Sequence, residues 1–472
     1  MSLHTLTLTE LAAGLAARQF SSREIVDALL ARIAKGNGKL HAFTEVYADA
    51  ARAMADGADR ARMAGFPLPP LHGLPVAYKD LCDIAGKVGT GGSKMFEGRI
   101  ATETSNTVER LTAAGMIPLG KLHMVEFAFG GWGTNPLMGA PWNPWDLATH
   151  RVPGGSSSGT GVAVAARLAP AGIGSDTGGS VRIPAAFNGL VGLKVTFGRI
   201  GLFGTIMLSW SLDSIGPMAR SVEDCALMLN ALAAPDARDP TTLGQPLEDF
   251  TLATRPGSIE GMRIAIPDIQ QLPSFMHADV TTAWQAAART FEGLGAVVEA
   301  VRLPDWYFDL SRPAGTIISS EAYSLHRNYI EDMGKAIGPG VRARAQAAKL
   351  LLPGAYAEEL RAMAERRRIF AEWFRPYDAI VMPTMAVPAI PLAEVDENSP
   401  LPGYLTRPAN YLGLCGLAMP SGQSGGQSGG LPLGIQIVGK PFAERDVLRL
   451  GKAFQDATDF HRRAPDLSAL GL

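Results

Sequence analysis

Three short segments of this chain hold residue types that could do chemistry together. Gly174-Ser175-Asp176-Thr177-Gly178-Gly179-Ser180-Val181-Arg182 follows a second cluster, Gly154-Gly155-Ser156-Ser157-Ser158-Gly159, and Lys79 stands upstream of both. A Gly-Gly-Ser turn lets backbone N–H groups converge on one point, because glycine reaches conformations that a Cβ forbids. Converging N–H groups are what a developing oxyanion needs. The combination points to acyl transfer by a serine nucleophile that histidine does not serve.

Helices and strands must bring these segments together. Thr7-Leu8-Thr9-Glu10 and Ser21-Ser22-Arg23-Glu24 read as capping boxes opening amphipathic helices. The second is expected to run through Ile25, Leu29, Leu30 and Ile33 and to stop at Gly36-Asn37-Gly38. An alanine-rich helix is expected over Tyr47 to Met63, and Pro67 to Pro70 read as a rigid connector. From Leu74 short apolar runs (Leu74–Tyr78, Met116–Leu119, Ala171–Ile173, Leu190–Leu193) alternate with helical stretches such as Thr107–Ala114 and Gly161–Leu168. Met262–Ile266, Ala296–Val301, Ala379–Met382 and Gly434–Val438 read as further strands, and Ser311 to Arg375 as mostly helical. Strands separated by helices predict an α/β fold with a large twisted mixed sheet covered by helices on both faces. The tandem Gln423-Ser-Gly-Gly and Gln427-Ser-Gly-Gly reads as a loop too short to separate domains.

Composition removes several function classes. The 472 residues are 47% hydrophobic, ample for a large core, and the net charge of −2 with 19% charged residues argues against nucleic acid as a main partner. The longest like-charge block, Arg366-Arg367-Arg368, reads as a solvated helix face. Cys82, Cys225 and Cys415 form no C-x-x-C pair, so neither a zinc site nor a disulfide framework is implied, and each reads as a buried thiol. Histidines show no metal-ligand spacing. The amino terminus is not patterned as a signal peptide, and no uncharged apolar run reaches the ~18–20 residues that span a bilayer. A cytoplasmic protein without metal or organic cofactor is expected.

Lys79-Asp80 after Gly73-Leu74-Pro75, the 154–157 cluster and the 174–182 cluster together resemble the amidase signature family. The likeness continues through Gly189-Leu190-Val191-Gly192-Leu193-Lys194, Gly198-Arg199, Ser211 to Pro217 and Ser221-Val222-Glu223-Asp224, densely over Leu71 to Ala231, and more thinly to Pro383-Thr384 and Leu431 to Gln436. The resemblance implies one domain over 1–472, with an N-terminal helical segment (1–70), a catalytic core (71–231) and a remainder (232–472) that completes the sheet and the substrate pocket. It implies a Ser–cis-Ser–Lys triad: Ser180 as nucleophile, Ser156 on a cis peptide after Gly155 as relay, and Lys79 as general base. It also implies an oxyanion hole of the N–H groups of Thr177, Gly178, Gly179 and Ser180, with Ser157, Asp176 and Arg182 bracing the loops. A base must be uncharged to accept a proton, so Lys79 is expected to be buried among apolar groups that lower its pKa. Asp80 is expected to face away from the amine, since neighbours on an extended segment point to opposite sides.

Phe127, Ala128, Phe129, Gly130 and Trp132 would line the acyl side of the pocket by the same resemblance, with Asp305 through Tyr323 as a second wall. With no evident counter-ion for an anionic substrate, a neutral aryl- or alkyl-bearing amide is expected, and esters and carbamates stay open. Two other readings remain. One is the amidase-like subunit of a tRNA-dependent amidotransferase, although Ile183 stands where that protein usually has Gln after Arg182. The other takes Gly155-Ser156-Ser157-Ser158-Gly159 as a nucleophile elbow with Ser157 attacking and His277, His326 or His461 as base. A non-catalytic relic of the fold is disfavoured by the joint presence of Lys79, Ser156 and Ser180. His123, where relatives often carry Asn, reads as a structural histidine. The expected partners are a small-molecule substrate and water, with no nucleic acid or membrane, and a homodimer stays open.

Overall fold

One mixed sheet of eleven strands runs through almost the whole chain: β1 (Phe43–Val46), β2 (Pro75–Lys79), β3 (Ile117–Leu122), β4 (Ala171–Ser175), β5 (Val191–Lys194), β6 (Ile215–Ala219), β7 (Arg263–Pro267), β8 (Val297–Val301), β9 (Ala379–Pro383), β10 (Cys415–Gln423) and β11 (Pro432–Gly439). The computed structural model describes residues 2–399, 401–425 and 430–472. The strand order is β1-β3-β2-β4-β6-β5-β10-β11-β9-β7-β8, with thirteen α-helices among the described residues. β2 pairs in parallel with both β3 and β4, whereas β6, β5, β10 and β11 join by antiparallel ladders. This is the α/β fold that the alternation of apolar runs predicts. None of the described helices is long and apolar enough to cross a membrane.

Both capping boxes form. The Thr7 and Ser21 hydroxyls accept the N–H groups of Glu10 and Glu24, whose carboxylates accept the N–H groups of Thr7 and Ser21 in return. The second helix, however, does not stop at Gly36-Asn37-Gly38 but continues to Leu40. Gly36 is there for contact, since a Cβ on it would come within 2.7 Å of a Leu472 methyl. Asn37 exchanges two hydrogen bonds with the Phe43 backbone, and His41, in the left-handed region, ends the helix. The helix predicted from Gly161 begins earlier and spans Ser158–Ala165.

Strands β1, β6 and β10 escape a search for apolar runs. Thr44 and Glu45 interrupt β1, Gly216-Pro217 interrupt β6, and Gly416, Pro420 and Gly422 interrupt β10. The small residues permit close approach: Gly174 stands opposite Gly216, and a Cβ on Gly174 would lie 2.8 Å from Ser157 Oγ. Two arginines of the 366–368 block fold back instead of facing solvent. Arg366 bonds Glu359 and the Tyr411 hydroxyl, and Arg367 donates to the Tyr411 carbonyl. The Gln423 end of the tandem repeat belongs to β10, and residues 426–429, on which the loop assignment also rests, lie outside the described residues.

Candidate active site

Parallel pairing of β2 with β4 sets Tyr78 beside Ile173, so the carboxyl ends of the two strands emerge together. That end of an open α/β sheet is where ligands gather. Lys79 is the last residue of β2 and Ser175 the last of β4. Lys79 Nζ lies 2.7 Å from Ser156 Oγ and 2.8 Å from Ser175 Oγ, with Lys79 fully buried. Burial pushes the amine down to about 7, against the attraction of the Asp213 and Asp176 carboxylates. A large fraction of Lys79 is therefore neutral near pH 7 and able to take a proton. Asp80 turns to other partners, accepting the Thr90 N–H at 3.1 Å and facing the Lys121 ammonium at 3.4 Å.

The peptide between Gly155 and Ser156 is cis. This turn is pinned from both sides: Gly155 N–H donates to the Gly131 carbonyl at 2.8 Å, and Val125 N–H to the Ser156 carbonyl at 3.0 Å. Ser157 does not face the cavity; its hydroxyl accepts the Ser175 N–H at 3.2 Å and donates to the Ser175 carbonyl at 3.3 Å. The elbow reading fails on this geometry. Ser157 is wholly buried, and the segment before it is not a strand. His277 is exposed and caps the helix Ala278–Gly293, while His326 stacks on Phe127 and bonds the Met207 carbonyl. His123 is buried against the Met138 carbonyl, and burial pushes it down to about 4.

Asp176 holds the second loop. Its carboxylate accepts from Gly179 N–H at 2.7 Å and Val181 N–H at 3.2 Å, and it pairs twice with the Arg182 guanidinium at 3.0 Å, both side chains fully buried. Burial alone would raise the Asp176 carboxyl, but the Arg182 charge holds it well below the usual carboxylate range. Because Gly179 commits its N–H to Asp176, the N–H groups of Thr177, Gly178 and Ser180 are the ones without a protein acceptor among the described residues. Gly179 is needed for another reason: at φ 127°, a Cβ would meet Thr406 Oγ1 at 2.2 Å. The Thr177 hydroxyl donates to Asp213 at 2.5 Å, and burial raises Asp213 to about 6.

Sequence reasoning missed the residues that clamp this loop from afar. Asn410 accepts from Arg182 at 2.7 Å and donates to both the carboxylate and the carbonyl of Asp176, while Gln436 accepts from Arg182 at 2.8 Å. Ser175 was missed as well, although it sits inside the motif. Removing its hydroxyl deletes one acceptor of the Lys79 ammonium, so Ser175→Ala is expected to shift the acid limb of the pH–rate profile to lower pH and cut kcat/KM by about tenfold. An unshifted limb would mean that Ser175 does not act through Lys79.

Of Ser156, Ser157, Ser175 and Ser180, Ser180 alone lines a cavity of about 300 Å³, together with Thr177, Gly178, Ala128, Phe129, Gly130 and Trp132. Phe127 does not reach it. That ring is 1% exposed and packs between Phe96 and His326 in the core. The second wall comes from Gly315, Ile318 and Ser319 of the helix Ser311–Ile330, not from the aromatic run before it. The expectation of an uncharged pocket is overturned, because Arg344, Arg407 and Glu397 line the same cavity. These three lie more than 160 positions beyond Ser180 and carry no local motif.

Known proteins resemble this chain in sequence and in fold. The family model for Amidase matches residues 24–448. The chain is 38% identical over 493 residues to a subunit of the Glutamyl-tRNA(Gln) amidotransferase of Roseiflexus sp. (strain RS-1), covering 98% of this chain and 99% of that one. A solved structure described as part of a vestigial protein complex bearing on the origins of an s-triazine catabolic enzyme superposes with TM-score 0.89 at 34% identity, over 96% of this chain and 98% of that one. The peptide amidase of Stenotrophomonas maltophilia superposes with TM-score 0.84 at 31% identity, over 98% of each chain.

Proposed function

Because the chain belongs to the amidase signature family, we propose that it hydrolyses the C–N bond of a small amide through an acyl-enzyme on Ser180. The observation that carries this reading is the buried Lys79 amine, held 2.7 Å from Ser156 Oγ at a pKa pushed down to about 7. In the first half-reaction Ser180 Oγ attacks the carbonyl carbon, its proton passes to Ser156, and the Ser156 proton passes to neutral Lys79. The free N–H groups of Thr177, Gly178 and Ser180 would hold the oxyanion, each worth roughly 3–4 kcal/mol in the transition state. The C–N bond then breaks as the relay returns a proton to the leaving nitrogen. In the second half-reaction a water gives its proton to the relay and attacks the ester carbon, releasing the acid and restoring the Ser180 hydroxyl.

A second reading has direct support. The curated relatives are named as one subunit of a Glutamyl-tRNA(Gln) amidotransferase, which favours an ammonia-releasing component over the hydrolase of neutral aryl or alkyl amides expected from the sequence. In that reading the chain works with partner chains and tRNA, and Arg344, Arg407 and Glu397 supply both signs of charge for an amino-acid substrate. The two readings separate by turnover of an anilide, its aryl ester, an aryl carbamate and glutamine by the purified chain. Hydrolysis without added partners is expected for a stand-alone amidase. Activity on glutamine only, appearing when partner chains are added, would establish the amidotransferase reading instead.

A further inference from the structure

A second cavity, of about 530 Å³ against about 300 Å³ beside Ser180, shares no lining residue with the first. Strands β4, β5 and β11 run the same way, so their carboxyl ends lie along one edge of the sheet, the edge at which ligands gather. Thr196 and Phe197 follow β5, and Lys440 to Phe442 follow β11. The helix Ala355–Phe374 closes the cavity from one side with Arg367 and Ala371.

Two cations in this cavity have no counter-charge. Arg367 donates through Nε to the Tyr411 carbonyl at 2.8 Å, and neither Nη has an acceptor among the described residues. Its guanidinium lies over Gly413, where a Cβ would come within 3.5 Å of Cζ. Burial lowers Arg367 from the ordinary arginine value, the mark of a charge held out of water. Lys440 donates to the Arg375 carbonyl at 3.1 Å, with its ammonium 5.7 Å above the Phe374 ring. Neighbouring carboxylates are committed elsewhere. Glu444 accepts from Arg199 and the Thr196 N–H, Glu359 pairs with Arg366, and Glu372 meets Arg375 at 3.5 Å. Asp446 feels the Lys440 charge but forms no ion pair with it among the described residues.

The remaining walls are aromatic. Phe370 and Phe374 are buried, while Phe197 and Phe442 are half-buried at the mouth, and the Arg199 guanidinium backs the Phe442 ring at 4.8 Å. A purely apolar ligand would take water from Arg367 and leave its fork unpaired. A small inorganic anion would leave the rings in water. Both demands are met by one molecule with a ring and a carboxylate, since a guanidinium receives a carboxylate through parallel N–H groups.

We propose that this cavity binds a small aromatic acid, an arylacetate being the simplest member, with Arg367 and Lys440 receiving the carboxylate and Phe197 and Phe442 covering the ring. The ligand is not a substrate, because none of the cavity's residues reaches Ser180. The inference is independent of the acyl-enzyme reading, and its readout is binding.

The test is calorimetric titration of the full chain with 1-naphthylacetate, 1-naphthylacetamide and acetate. The acid is expected to bind with a Kd of about 1 mM or tighter, the scale for a ligand of its size. It should bind about 10- to 100-fold more tightly than its amide, the range of a hydrogen bond to a charged group, with acetate weaker than both. Arg367→Met and Lys440→Met should each reduce the preference for acid over amide. Ala371→Trp, at an exposed helix position, should fill the cavity and abolish binding with the melting temperature nearly unchanged. That variant also covers the case in which Arg367→Met, having lost the bond to Tyr411, does not fold. Equal affinity for acid and amide would overturn the carboxylate pairing, and acetate binding as tightly as the acid would overturn the role of the rings. Undiminished binding to Ala371→Trp would place the ligand elsewhere, and no binding at about ten times the expected Kd would overturn the site itself.

Discussion

Ser180→Ala is expected to lower kcat/KM on amides and on esters by about 10⁵-fold or more, with the melting temperature nearly unchanged. Under the proposed acyl-enzyme reading Ser180 has no substitute in this site: Ser156 and Ser175 are bound to Lys79, and Ser157 to the Ser175 backbone. The structural duties of Ser180 belong to its backbone, since its carbonyl accepts the Ser157 N–H at 3.4 Å, and alanine keeps that bond. Steady-state turnover of an anilide and its aryl ester, with a thermal melt of the same preparation, reads both halves. Retained turnover of either substrate would place the nucleophile elsewhere.

Lys79→Met is expected to cost about 10³-fold or more, and to hurt amides more than esters, because an amine leaving group also needs a proton. The wild-type pH profile carries the same information. With the Lys79 amine at about 7, kcat/KM should rise through neutrality and fall about tenfold per unit below it, as the base becomes an ammonium. Stability follows the same group. The folded chain holds Lys79 near 7 against an ordinary 10.5, so between those values it binds fewer protons than the unfolded chain. Stability therefore rises with pH across that window, and the cost of burying the amine is full below about 7 and gone above about 10.5. Methionine removes that cost but strands the hydroxyls of Ser156 and Ser175, leaving a net gain of about 1–3 kcal/mol at pH 7 that shrinks toward pH 10. Melts at the two pH values check this; equal differences at both would mean that burial does not shift the amine.

Most strands and both capped helices were legible because the local signal and the tertiary demand agree there. Val191 to Leu193 are apolar or small and buried, and Glu10 and Glu24 sit three residues after a hydroxyl cap. Legibility failed where contact outweighed propensity. Gly36 reads as a helix stop but serves as a docking surface for Leu472. Gly216 reads as a break but permits strand pairing, since a Cβ there would lie 2.0 Å from the Leu193 carbonyl oxygen.

The sequence by itself determined the family and singled out Lys79, Ser156 and Ser180 as the proposed catalytic residues, because their loops combine glycine and small hydroxyl residues at fixed spacing within about a hundred positions. It also placed Lys79 at the end of an apolar run, where burial of its amine is expected, and the structure buries it. Only the tertiary structure decided what the cavity asks of a substrate. Phe127 turned into the core, while Arg344, Glu397 and Arg407 arrived from segments with no motif of their own. Asn410 and Gln436 reached back more than 200 positions to clamp Asp176 and Arg182. Charge balance in a cavity is a sum over groups that share space, and neither periodicity nor spacing along the chain encodes which groups those will be.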